Sequence, residues 1–158
     1  MRICFILLIV LCNKFCIQIS FYKIVISSIT CDESVKEYEN NLADTYNEHG
    51  LLLLKNCEFA EAKCKFEIAV SHASDKIVYK KNLKIALSEI AFKAGVELLK
   101  FNKFSEAAEN FKESMKNPFS EIVSYAELLF NERSLSETID AFELSLNFAE
   151  ENDKGKII

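Results

Sequence analysis

The side chains able to do chemistry are few and scattered. The two histidines are His49 and His72, and beyond residue 31 the only cysteines are Cys57 and Cys64. A protein zinc site needs more ligands, closer together, than two cysteines and two distant histidines supply. If Cys57 stands in a turn and Cys64 lies two turns into the next helix, a rise of 1.5 Å per residue puts their Cα atoms about 10 Å apart, too far for a disulfide. Small, half-buried thiols fit these positions better. Glu58 and Glu61 open an apolar-periodic run, where acidic residues complement a helix N-terminus rather than form an acid–base pair. His49 has no evident carboxylate or cysteine partner and reads as a packing histidine, whereas His72 suits the negative end of a helix. The sequence contains no glycine-rich phosphate loop, no G-x-S-x-G, no H-E-x-x-H and no C-x-x-C. The expectation is a protein that is not an enzyme, with no catalytic residue, no cofactor and no bound metal.

What remains is architecture. The chain has 158 residues, half of them hydrophobic, with thirteen Phe, no Trp, three Gly and one Pro. That length suffices for a domain with a real core. So few Gly and Pro leave little room for the tight turns of an all-β fold, and no long alternating run reads as a strand. The predicted class is all-α. Its organising stretch is Thr45–Val70, TYNEHGLLLLKNCEFAEAKCKFEIAV. Tyr46, Gly50 and Leu53 share one helical face, and Phe59, Ala62, Phe66 and Ala69 share another. A polar turn at Lys55–Glu58 separates them, which predicts an antiparallel helix hairpin. Gly50 and Ala62, the smallest residues on their faces, are expected to face each other and let the backbones approach closely.

These residues and their spacings resemble the signature of the tetratricopeptide repeat. His49 replaces the family's leucine and Ser74 its terminal proline. Gly95, Leu98, Phe104, Ala107, Phe111 and Ser114 repeat the pattern. Ala126, Leu129, Leu135, Thr138, Phe142 and Ser145 form a weaker third copy, whose bulkier Ala126 and Thr138 predict a looser or capping hairpin. The resemblance implies hairpins stacked as a short right-handed solenoid over residues 43–150, with repeats at about 43–76, 88–118 and 119–150. Gly50 and Gly95 stand 45 residues apart, 11 more than the family's period. Eleven residues make three helical turns and keep phase. Residues 77–87 are therefore predicted to extend a single helix over 77–100, with Ile77, Leu83, Leu87, Ile90, Ala94 and Leu98 on or near its buried stripe. Pro118, the only proline, falls in the shortened connection before the third copy, where it suits a helix start.

Residues 1–31 differ in kind. They contain no Asp or Glu, and Ile3–Cys12 is an unbroken apolar run behind one basic residue. That is the shape of a secretory signal peptide or a membrane anchor, although Ser27, Ser28 and Thr30 offer no clean cleavage site. Either reading places the rest outside the cytoplasm: secreted, periplasmic or membrane-anchored. Residues 32–42 are a linker or the start of a first helix, and 151–158 a tail. From residue 32 onward, 16 basic residues face 24 acidic ones, a net charge of −8. That balance argues against general nucleic-acid binding.

In the family, the inner faces of the first helices line a concave groove. Carried over by position, the groove residues are Asn47, Leu51, Leu54, Lys55, Phe92, Val96, Leu99, Lys100, Glu127 and Phe130. An apolar middle with lysines at one edge suits an extended segment or amphipathic helix of another protein. The resemblance thus implies an interaction module, an adaptor or scaffold with an unidentified protein partner. The alternative is a structural component of an envelope or membrane complex that self-assembles through its end helices. Packing of Phe92, Leu99 and Phe130 into the core is the competing reading of those three residues.

Overall fold

The computed structural model describes residues 2–28, 32–114 and 116–154, with side chains described over 14–28, 34–114 and 116–149. The described residues form seven helices and no strand: α1 (Arg2–Ser28), α2 (Asp32–Lys55), α3 (Phe59–His72), α4 (Ile77–Leu99), α5 (Phe104–Ser114), α6 (Phe119–Asn131) and α7 (Leu135–Lys154). The all-α class is as expected. Residues 32–42 begin α2 rather than form a linker. Helix α4 runs unbroken through the eleven extra residues.

The hairpin turns share one construction. Cys57, Asn102 and Arg133 have φ of 62°, 56° and 62°. Each follows its helix by the same pair of bonds: Cys57 N–H to the Leu54 carbonyl and Glu58 N–H to that of Leu53, then Asn102 to Leu99 and Lys103 to Leu98, then Arg133 to Phe130 and Ser134 to Leu129. This is the Schellman ending, in which a left-handed residue lets two orphan carbonyls find donors. None of the three is glycine. Pro118 stands at the N-cap of α6, and the Asn117 side-chain oxygen accepts from Phe119 N–H at 2.8 Å.

The chain divides into two compact units, Met1–Ala86 and Leu87–Ile158, with the division inside α4. In the first unit α2 packs on both α1 and α3. One cluster joins Leu42, Ala43 and Tyr46 to Ala69, Ala73 and Tyr79, with Ile19, Tyr22 and Ile26 of α1 laid against it. A second joins Leu53, Ala62, Phe66 and Ala86. Phe15 is buried and stacks on the His49 ring at 4.7 Å. His49 is a packing residue, and its Nδ1 is buried without a hydrogen-bond partner. Burial, and then Lys65, hold its pKa below the ordinary 6.5 against upward pulls from Glu61 and Glu58. The Tyr79 hydroxyl donates to Asp44, and Lys76 pairs with the same carboxylate at 3.3 Å.

In the second unit Leu99, Ala107, Phe111, Ile122, Leu144 and Phe148 make the main cluster. Ala126, Leu129 and Ala141 make a smaller one between α6 and α7. The Ser88 hydroxyl donates to the Ser114 carbonyl, and Lys116 pairs with Glu89 at 2.6 Å while lying over the Phe92 ring.

Several expectations need correction. Nearest to Gly50 is not Ala62 but the Phe66 ring: a Cβ built at Gly50 would lie 2.6 Å from it, and one built at Gly95 would lie 2.6 Å from Phe111. Each glycine is the seat of an aromatic ring. On α4, Leu83 and Leu98 pack toward the core as expected, but Ile77 and Leu87 face outward, and Tyr79, Ala86 and Leu99 are buried. Phe142 does not pack inward like Phe66 and Phe111, and is 40% exposed. The tail from residue 151 is helical as far as Lys154, and residues 155–158 lie outside the described part. So do Thr30 and Cys31, near the expected cleavage point. Among the described residues no helix is long and apolar enough to cross a membrane.

Candidate functional site

A shallow, open concavity lies within the second unit, between α4 and α6. Val96 and Leu99 line it from α4, Lys100 from the turn that follows, and Ser120, Glu121, Ser124, Tyr125 and Leu128 from α6; its volume is about 390 Å³, and it is open to solvent. The spacing on α6 is that of one helical face, 120–124–128 with 121–125 beside it. Small serines along this face leave the space open, while Ile122, Ala126 and Leu129 turn the opposite way into the core. Leu99, only 2% exposed, forms the floor.

The polar groups sit around this apolar base. Lys100 pairs with Glu97 at 2.8 Å. The Ser120 hydroxyl donates to Glu121 at 2.7 Å, and the Tyr125 hydroxyl donates to the Asn102 side-chain oxygen at 3.0 Å. Burial first, then Glu132 and Glu137, raise the Tyr125 phenol above its usual value. The cleft therefore offers an apolar surface, one cation, one carboxylate and several hydroxyls. Its lining holds no histidine or cysteine to act as base or nucleophile. Among the described residues no group of three or more His, Cys, Asp or Glu could hold a metal ion. Cys16, Cys57 and Cys64 are free and exposed.

The sequence-predicted groove residues divide. Val96, Leu99 and Lys100 come together in the cleft. Phe92 is half-buried and packs on Phe111 at 5.6 Å, so it supports the wall rather than lining it. Phe130 is 59% exposed and Glu127 is exposed, but neither lines this cleft. In the first unit Asn47 is buried and accepts from Asn82 at 2.7 Å. Leu54 packs against the Leu53–Phe66 cluster. Leu51 and Lys55 are exposed.

Sequence reasoning missed Glu121, Ser124, Tyr125 and Leu128 for a geometric reason. Equivalent positions of two repeats point in the same direction. A cleft between neighbouring helices is lined by opposite flanks of the two, not by equivalent positions. The period-four run Ser120–Ser124–Leu128, small at one end and apolar at the other, was the available signal.

Compared with family models, with curated proteins and with solved structures, the chain matches none.

Proposed function

We propose that this is a helical-repeat protein of the tetratricopeptide type that binds a segment of another protein, and that the α4–α6 cleft is its binding site. The observation that carries this reading is the cleft itself. It lies between the first helices of successive hairpins, with an apolar floor, a polar rim and a size in the ordinary range for ligand sites, about 300–1,000 Å³. The repeated turn geometry and the glycine–phenylalanine seats support the solenoid assignment. An extended peptide or helix with one or two apolar anchors and a carboxylate near Lys100 suits the lining.

The test is selection of peptides from a random displayed library on the full chain, followed by binding to Leu128→Glu/Ser124→Arg. Both residues are exposed, so the helical signal should persist while affinity falls at least about tenfold. Peptides that bind the variant equally well would place recognition elsewhere.

Residues 1–31, apolar and free of acids, support a location outside the cytoplasm or tethered to a membrane. Packing of Phe15, Ile19, Tyr22 and Ile26 on the fold favours retention of this segment over its removal. Intact mass of the native protein, from washed membranes and from the soluble fraction, decides that point.

A further inference from the structure

Two helices, one in each unit, carry apolar faces that no described residue of their own unit covers. On α1, Ile17, Phe21 and Ile24 are each more than half exposed. They form a stripe at helical spacing directly opposite Phe15, Ile19, Tyr22 and Ile26, which pack inward. Lys14 and Lys23 are exposed on its flanks, and α1 contains no acidic residue. On α7, Leu135, Ile139 and Leu146 are more than half exposed, with Phe142 between them. This stripe is bordered by exposed Asp140 and Glu143, and the first basic residue of α7 is Lys154.

We propose that α1 of one copy docks on α7 of another, so that copies of this chain associate head to tail. Charge complementarity selects the pairing. An α1–α1 contact would set Lys14 and Lys23 against themselves, and an α7–α7 contact would do the same with Asp140 and Glu143. Only the mixed contact joins an apolar stripe with a basic border to one with an acidic border. Helix α4 also exposes Ile77, Val78 and Ile85, but Lys81 and Lys84 interrupt that face, and it offers no continuous stripe. A contact between two different faces leaves one of each free, so association does not stop at a dimer and continues into a ring or an open chain. A helix face about 30 Å long and 10 Å wide covers roughly 300 Å² on each partner, which is below the size of stable interfaces and makes this a weak, transient association. The dissociation constant is expected on the order of 10 μM.

This proposal is independent of the cleft. It is tested on the full chain by sedimentation equilibrium across a hundredfold range of concentration. Mass should rise past the dimer, and less so at high salt. Lys14→Glu/Lys23→Glu and Asp140→Lys/Glu143→Lys should each weaken association at least about tenfold, and mixing the two variants should restore assembly past the dimer in alternating copies, because each contact between unlike variants again joins a basic border to an acidic one. Lys80→Glu/Lys81→Glu should change nothing. A monomer at every concentration overturns the proposal, and so does assembly that ends at a dimer or survives both charge reversals. Flotation of a monomeric chain with anionic vesicles, lost in Phe21→Ser, would overturn it in favour of lipid as the occupant of α1.

Discussion

Two hairpins of this chain seat a phenylalanine against a glycine, and the third does not. Phe66 and Phe111 are 0% and 1% exposed, whereas Phe142 is 40% exposed. All three lie sixteen residues after the same hairpin position, which is Gly50, Gly95 and then Ala126. The ring approaches the glycine backbone so closely that a Cβ has no room. One methyl group at Ala126 therefore removes the seat, and the third ring turns outward. The same hairpin position holds a core ring in two settings and a surface ring in the third.

That comparison can be broken most sharply at the rings. Phe66→Ala or Phe111→Ala should cost about 3–5 kcal/mol, while Phe142→Ala should change stability by less than about 0.5 kcal/mol. Urea denaturation measures both, and similar costs at all three would contradict the burial pattern. Gly50→Ala and Gly95→Ala come next. Alanine favours a helix by about 1 kcal/mol over glycine, yet the buried ring cannot move aside, so a net loss of about 1–3 kcal/mol is expected. If either substitution stabilises the protein, close approach is not why glycine is there.

A third test uses the residue before that position, which is His49, Ala94 and Tyr125 in the three hairpins. His49 has a folded pKa below its ordinary value. The unfolded chain takes up a proton near pH 6.5, and the folded chain does so only at lower pH. Stability is thus full above pH 6.5 and falls as the pH drops below it. Hydrogen exchange at pH 5 should show protection lost first in α1 and α2, and His49→Gln should abolish that acid sensitivity. Equal loss in α5–α7 would mean that some other group is responsible. The smallest effect belongs to the turns. Arg133→Gly should stabilise by about 1 kcal/mol, because left-handed backbone costs glycine nothing. Asn102→Gly should gain less, since asparagine tolerates that conformation better. Thermal melts would order the two.

Much of this was legible in the sequence. The break at Lys55–Glu58 is visible as polar residues between two apolar periods, and an insertion of three whole turns keeps α4 helical. The facing of α4 was only partly legible, because its large aliphatics Ile77 and Leu87 point outward while Tyr79, with its hydroxyl on Asp44, is buried. Phe142 could not be placed from its own identity; the deciding atom is the Cβ of a residue sixteen positions earlier. The role of α1 was hidden by composition. Its apolar content reads as a leader, yet every third or fourth residue from Phe15 to Ile26 covers Leu42, Tyr46 or His49. On the site, spacing recovered the α4 side of the cleft and missed the α6 side, since repeat symmetry aligns equivalent positions instead of opposing them.

The uniform turns also say where the chain tolerates editing. Each turn acts as a spacer of constant length, locking the phase between the paired helices. The distance from seat to ring is sixteen residues in every hairpin, while successive seats are separated by 45 and then 31. Length variation has thus been confined to the segments joining one hairpin to the next. A tag or fluorophore loop inserted between Ser74 and Asp75, both exposed, should leave each helix pair intact. The same insertion between Asn56 and Cys57 would carry Phe59, Ala62 and Phe66 out of phase together.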